Sequence, residues 1–510
     1  MQGLNENEIK SMVEKVISHL EGEWSSQKPP VPGKSATPPI GQTSFVRWNG
    51  SSTQPVTPSR GFSTALAAVH GQRGLFSNVD QAVSAARTAQ KSLTRRSLAQ
   101  RKQICEIIMD ICRDQSEELG RLEYEETGIG HAAHKPEKMR IVADGALGVD
   151  YMTSECFSGD HGITVEEHAP WGVVGIVTPV THSLPTLANN AINIIAAGNS
   201  LVCNPHPGGK KIAATGARIF NEAIYKETGI DNLVCVITEP TLETANQIFT
   251  HPGVNLLGIT GGPGVVEAAL KSGKRAICAG PGNPPVVVDS SADLDNAANC
   301  IIEGSTYDNN LLCLSEKETF VEAPVFEKFM NALVRAGACK LTTQQMDKLA
   351  EICLVQGQDG YWAANKEFVG AEPQVIARAI EVSVPPDCRM LFGETGPEHA
   401  WVMAEQMMPV MPVVKASTFE QAVEYAKKAE HGFKHTAVIH SRLVDHMTHM
   451  GKELDTTLYV KNGPSLAGNG SGGEGYGGWS IACGTGEGIA TPMTYTRLRR
   501  CSMIDNLRIL

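Results

Sequence analysis

Val173-Val174-Gly175-Ile176-Val177 runs into the loop Thr178-Pro179-Val180-Thr181, and the segment 185–197 that follows stops at Gly198. The first five residues are apolar without alternation, the pattern of a strand buried on both faces of a parallel sheet. The segment after the loop reads as a helix closed by a glycine. The unit then repeats. Ser200-Leu201-Val202-Cys203 is a second strand, Asn204-Pro205-His206-Pro207-Gly208-Gly209 its loop, and 211–225 its helix, with further strands at 233–237 and 256–259. Repeated strand, loop and helix predict an α/β, doubly wound sheet whose ligand loops sit at the carboxyl ends of the strands, and a nucleotide is the default guest of such a sheet. The run Ile259-Thr260-Gly261-Gly262-Pro263-Gly264 leads from a strand toward a helix, where glycines let backbone amides approach a phosphate. It is not a full GxGxxG, so a plain turn stays open beside the phosphate reading.

Upstream, helical spacing covers 79–92 and 97–122, and a further helix is expected over 136–152 with Pro136 in its first turn. Residues 155–170 alternate around Gly159 and Gly162 as an exposed hairpin. Downstream, Val286-Val287-Val288 is a strand and 293–304 a helix. A second alternating α/β unit follows, with strands expected at Phe320-Val321, Trp401-Val402-Met403, Pro412-Val413-Val414, 437–439 and 457–460. The glycine-rich stretch 463–478 is either a flexible connector or a loop that closes a site.

Between the two units lies Gly304-Ser305-Thr306-Tyr307-Asp308-Asn309-Asn310-Leu311-Leu312-Cys313. A thiol becomes a nucleophile when nearby donors, a cation or a helix N-terminus stabilise its thiolate, and the amides of Asn309 and Asn310 are candidates for that task. The competing reading of Cys313 is a small buried hydrophobe, the usual state of a cysteine.

The 510 residues are enough for two or three domains. A formal net charge of -11 and the lack of any long basic block argue against nucleic acid and anionic lipid as partners. No run of about eighteen apolar residues suggests a membrane span. Thirteen cysteines without a CxxC pair fit a reducing, cytoplasmic setting rather than a disulfide framework or a zinc site. His446 and His449 lack a third ligand of suitable spacing, so no metal is expected.

Residues 1–20 place Ile9, Met12, Val13, Val16, Ile17 and Leu20 on one helical face. Residues 21–70 are rich in Pro, Ser, Thr, Gly and Gln and cannot bury enough apolar surface to offset their ordering entropy. A short apolar-faced helix on such a tether suits docking better than self-packing.

Thr178-Pro179-Val180-Thr181, Ala196-Ala197-Gly198-Asn199, Asn204-Pro205-His206-Pro207, Ile259-Thr260-Gly261-Gly262, Asp308-Asn309-Asn310-Leu311-Leu312-Cys313 and Lys461-Asn462-Gly463-Pro464-Ser465 stand in one order along the chain. In that order they resemble the aldehyde dehydrogenase superfamily, and within it the CoA-acylating propionaldehyde and acetaldehyde dehydrogenases of bacterial microcompartments. The resemblance covers about residues 70–510, and the helix and linker before it resemble that group's encapsulation peptide.

The resemblance implies a Rossmann-type cofactor domain over 71–154 and 171–288, a catalytic domain over 289–460, and oligomerisation elements at 155–170 and 491–510 that build a homodimer or homotetramer. Cys313 attacks a short-chain aldehyde, hydride passes to NAD, and the thioester is handed to coenzyme A. The oxyanion donors are the Cys313 amide and Thr181, where many relatives carry asparagine. Thr178, Pro179, Val180, Asn204, His206, Gly261, Gly262 and Glu405 contact the cofactor, with NAD and NADP both open because Asn204 and His206 replace a familiar lysine. Residues 1–20 dock microcompartment shell or core proteins, which places the enzyme in the lumen. Where hydrolytic relatives carry the glutamate that activates water, this chain has Cys278-Ala279. Neither is a base at neutral pH, which favours acyl-CoA over free acid. The rival readings are a hydrolytic aldehyde dehydrogenase with a displaced base, and a catalytically silent scaffold.

Overall fold

The computed structural model describes residues 73–357 and 360–505. The expected docking helix and tether at 1–70 lie outside them.

The first sheet has six parallel strands, in the order Leu75–Phe76, Val234–Ile237, Ser200–Pro205, Val173–Thr178, Leu256–Thr260, Ala276–Ala279. Chain order reverses beside Val173–Thr178. The next two strands in the chain lie to one side, while Leu256–Thr260 and Ala276–Ala279 lie on the other. That reversal opens a crevice at the carboxyl ends of Val173–Thr178 and Leu256–Thr260, the place where doubly wound sheets take ligands. Val173–Thr178 is buried along its whole length, as its unbroken apolar run predicts. The helix behind it, Ser183–Ala196, is buried on every face, a consequence of packing between the sheet and the helices of residues 98–145.

The second sheet has seven strands, and its centre is Val410–Ala416, Glu318–Glu322 and Pro285–Val288. Pro285–Val288 pairs with Glu318–Glu322 and Thr436–His440, so it belongs to the second unit and not to the cofactor domain drawn through residue 288. The changeover falls in Gly280-Pro281-Gly282-Asn283-Pro284, directly after the last strand of the first sheet. The carboxyl ends of one sheet therefore feed the amino ends of the other, and residues just before the strands of the second sheet gather at the junction.

Several local expectations change. Trp401-Val402-Met403 is a helical turn, Ala400–Met403, capped by His399, with the Trp401 indole donating to the Met346 carbonyl at 3.1 Å. A three-residue apolar run reads the same for a buried strand and a buried turn, and only packing separates them. The stretch 97–122 is broken at Gln115 into Leu98–Asp114 and Ser116–Thr127. The helix expected at 136–152 is His134–Gly145 followed by a short 3-10 turn, Val149–Tyr151. Ala276–Ala279 is a strand that the sequence pattern does not single out.

The hairpin Glu155–Gly159 and Gly162–Pro170 is completed within the same chain by Thr496–Ile504, which pairs antiparallel along all of Gly162–Pro170. Among the described residues no helix is long and apolar enough to cross a membrane.

Candidate active site

Cys313 stands just before Glu318–Glu322, Glu405 before Val410–Ala416, His435 before Thr436–His440, and Gly282 before Pro285–Val288. All four therefore reach the junction between the sheets. The approach to Cys313 is a run of three non-glycine residues in left-handed conformation, Asp308, Asn309 and Asn310, with φ of 48°, 54° and 66°. Each costs about 1 to 2 kcal/mol, and Asp and Asn are the residues that tolerate it best. Such a run persists only where surroundings over-determine it.

The surroundings do so here. Asn310 Nδ2 donates to the carbonyls of Ser305 and Glu316, both at 2.8 Å, and Asn309 Nδ2 donates to the Gly370 carbonyl at 3.0 Å. These amides hold backbone, so they are not the thiolate donors that the sequence suggests. The cation of the turn is Lys317, fully buried, whose Nζ donates to the carbonyls of Asn310 (2.9 Å) and Leu312 (3.1 Å) and to Asn310 Oδ1. Burial pulls the Lys317 ammonium down to about 8, against the raising effect of Glu405.

Cys313 is partly exposed but ringed by protein. Burial first and the Glu405 carboxyl second push its thiol up to about 12, while Lys317 and its own backbone N–H work the other way. The resting thiol is protonated. Glu405, raised by burial, accepts from the Gly282 N–H at 3.4 Å. His435 is fully buried and held near pKa 4 by burial. Its Nδ1 lies 2.8 Å from Thr436 Oγ1, and its Nε2 has no partner among the described residues.

Glu316 joins the cysteine segment to the glycine-rich stretch, accepting from the Ser465 N–H and hydroxyl, each at 2.7 Å. Gly304 is required for this, because a Cβ there would stand 2.1 Å from Glu316 Oε2. The stretch after residue 463 thus closes on the site. Beyond it, Cys483 is close enough to Cys313 to influence its charge, and Thr485 Oγ1 accepts from the Cys278 N–H at 3.0 Å. Burial, then Glu487, pushes Cys278 up to about 11.

On the other side, Thr181 is buried with Oγ1 2.8 Å from His182 Nδ1, and burial holds His182 well below its ordinary pKa, so it is neutral. Thr178 ends its strand, buried, and Pro179 and Val180 follow half-buried. Asn204 does not face open space as a free contact. Its Oδ1 accepts from Thr244 Oγ1 at 2.6 Å and its Nδ2 donates to the Thr241 carbonyl at 3.3 Å. His206 is exposed, and its Nδ1 accepts from the Gly208 N–H at 3.0 Å.

The Gly261 N–H donates to the Ala279 carbonyl at 3.1 Å, and Gly262 caps the helix Pro263–Lys271. A Cβ at Gly262 or Gly264 would meet nothing within 4 Å, so this turn leaves room for a phosphate to approach the first amides of the helix. With the half-buried Glu405 carboxyl as an acceptor for a ribose hydroxyl, these groups fit a dinucleotide.

Lys138, Lys317, His435 and Cys483 carry no local sequence signal that marks them. Asp308 and Lys317 stand beside Cys313, but the bonds of Asp308 to His131, Lys135 and Lys138 are invisible in a linear reading.

A glycine turn at the switch point of one parallel sheet and a cysteine at the junction with a second α/β unit are the parts that a nucleotide-dependent enzyme with a covalent thiol step requires. The pattern described as the aldehyde dehydrogenase family matches residues 54–352, and the chain belongs to that family. Among curated relatives, acetaldehyde dehydrogenase (acetylating) EutE of Escherichia coli K12 is 42% identical over 449 residues, covering 88% of this chain and 96% of its own. Propanal dehydrogenase (CoA-propanoylating) of Salmonella typhimurium LT2 is 39% identical over 438 residues, covering 86% of this chain and 93% of its own. Among solved structures, Rhodopseudomonas palustris propionaldehyde dehydrogenase, with bound CoA and an acylated cysteine, superposes with a TM-score of 0.83 at 37% identity, covering 86% of this chain and 100% of that one. A propionaldehyde dehydrogenase from the fucose utilisation bacterial microcompartment of Clostridium phytofermentans gives 0.83 at 39% identity, with the same coverage.

Proposed function

We propose that this chain oxidises a short-chain aldehyde with NAD and passes the acyl group to coenzyme A through a thioester on Cys313. The observation that carries the reading is the thiol at position 278. A cysteine pushed up to about 11 cannot activate water at neutral pH.

Cys313 reacts as the thiolate, its proton passing to bulk water, and adds to the aldehyde carbonyl to form a thiohemiacetal. Its oxyanion is met by the Cys313 N–H and the Thr181 hydroxyl. Thr181 Oγ1 lies 2.8 Å from Nδ1 of neutral His182, and the tautomer with its proton on Nδ1 is the one that leaves the hydroxyl hydrogen free for the oxyanion. NAD, when bound, would supply the acceptor for the hydride of the thiohemiacetal carbon. The glycine turn at 261–264 would hold its phosphates and Glu405 its ribose, with Thr178, Pro179, Val180, Asn204 and His206 along its approach. Without a poised water the thioester persists until the CoA thiolate attacks it, releasing acyl-CoA and the Cys313 thiolate. Lys317, beside the sulfur, favours that thiolate as leaving group.

Residues 1–20 serve as the docking helix for microcompartment shell or core proteins and 21–70 as its tether. This reading is supported by the microcompartment origin of a structural relative. Exposed Phe157, Leu498 and Ile504 on the three-stranded sheet support pairing with a second copy of the chain as a dimer or tetramer.

The test is NADH formation from acetaldehyde or propanal, with and without CoA, on wild type and Cys313→Ala, with the organic product identified. Multiple turnovers that need CoA and Cys313 and yield acyl-CoA are expected. Free acid formed at an equal rate without CoA would overturn the acylating reading.

A further inference from the structure

Four ionisable side chains are buried together behind the site, Glu123, Lys135, Lys138 and Asp308, each with essentially no exposed surface. The Asp308 carboxylate takes the His131 N–H on Oδ1 at 2.8 Å, and on Oδ2 the Lys135 ammonium at 2.9 Å together with that of Lys138. Lys138 Nζ also donates to the Thr181 carbonyl at 3.1 Å. Lys138 therefore bridges the left-handed turn that presents Cys313 and the loop that presents Thr181, two segments more than a hundred residues apart. Glu123 adds a second carboxyl, raised by burial and facing both lysines, with the Leu184 backbone N–H beside it.

Stability alone does not account for such a cluster. Buried ion pairs are often no better than apolar packing of the same volume, and their best-attested use is to fix one register. A register is what this site needs, because a donor and a nucleophile on separate loops must keep a set spacing before substrate arrives. The fit is close, since a Cβ at Gly130 would lie 2.2 Å from Asp308 Oδ1 and push the clamp apart.

Resting on the roles given above to Cys313 and Thr181, we propose that Lys138 is a positioning residue that clamps the Thr181 loop to the turn before Cys313 and sets the spacing of the oxyanion donor from the nucleophile.

The test uses the full chain and follows the pre-steady-state burst of NADH from acetaldehyde and NAD without CoA. Rates are normalised to Cys313 titratable by iodoacetamide. Lys138→Met is expected to slow the burst about 10- to 100-fold, the scale of a 1 Å misplacement. Its Kd for NAD, and its rate of alkylation by iodoacetamide, which needs a thiolate but no oxyanion donor, stay within about twofold of wild type. Lys135→Met removes an ammonium that bonds Asp308 and not Thr181, and is expected to keep the burst within about threefold. A Lys138→Met burst within threefold of wild type overturns the proposal, as does an equal loss in both variants. Should the methionine variants fail to fold, Lys138→Gln and Lys135→Gln give the same comparison, and equal burst rates there also overturn it. A wild type that shows no burst sinks the thioester reading and the clamp with it, whereas loss of the contrast between the two lysines sinks the clamp alone.

Discussion

Gly282→Ala probes the junction by adding one methyl group. A Cβ built at Gly282 stands 2.5 Å from the Cys313 carbonyl oxygen and 2.9 Å from His435 Cγ, where ordinary contact begins at 3.4 Å. An opening of about 0.9 Å is required, and overpacking of this kind costs about 1 to 3 kcal/mol. His435 cannot supply it. The ring is fully buried, its backbone N–H is bound to Glu430 Oε1 at 2.9 Å, and Nδ1 is engaged with Thr436. The carbonyl of Cys313 is therefore the part that yields, and the sulfur moves with it. A displacement near 1 Å at a reacting atom is worth about 100-fold in rate. The assay is the NADH burst from aldehyde and NAD without CoA, read beside thermal unfolding of the same sample. The expected result is a burst slowed about 100-fold at saturating NAD, with the Kd for NAD measured on the same sample because the Gly282 N–H donates to Glu405. A burst within threefold of wild type would refute the reasoning, because the cysteine would then tolerate a shift that the packing says it must make.

Two further outcomes follow from the charged groups around the same cysteine. Burial pushes the Glu316 carboxyl up to about 7 from an ordinary 4.5, despite its bonds from Ser465. A raised acid contributes stability that is complete below pH 4.5 and is lost as pH rises through about 7, a change on the order of 3 kcal/mol. Glu316→Gln keeps the shape and removes the titration, so its unfolding temperature should match wild type at pH 5 and exceed it at pH 8.5. A gap that does not change with pH would show that Glu316 is not the titrating group. Cys278→Glu places a carboxyl where the water-activating base is missing. Because a positioned base is worth about 10²- to 10⁴-fold, free-acid formation without CoA should rise at least tenfold over wild type. No rise would mean that position 278 does not face the thioester.

The cysteine between the two units, the lack of a carboxylate at 278–279 and the alternation of elements were legible in the sequence because each is a local property. Val173–Thr178 reads as buried from its own side chains, and the absence of a carboxylate at 278–279 is visible by inspection. What was misread was local only in appearance. The Asn309 and Asn310 amides stand near Cys313 along the chain, yet the positive φ of their backbones turns them onto the carbonyls of Ser305, Glu316 and Gly370. Trp401-Val402-Met403 has the composition of a strand, but the indole finds its acceptor at Met346 from a helical turn.

Sequence by itself determined the class of fold and the kind of chemistry, since periodicity encodes which faces are buried and residue type encodes what a group can do to a carbonyl. Only the tertiary structure decided what surrounds the sulfur. Lys135 and Lys138 carry no mark in the sequence until Asp308, some 170 residues away, takes both inside. Glu316 gains its role from Ser465, 149 residues further on. Partner choice over such separations depends on how two sheets meet end to end, and a pattern read a few residues at a time carries no record of that meeting.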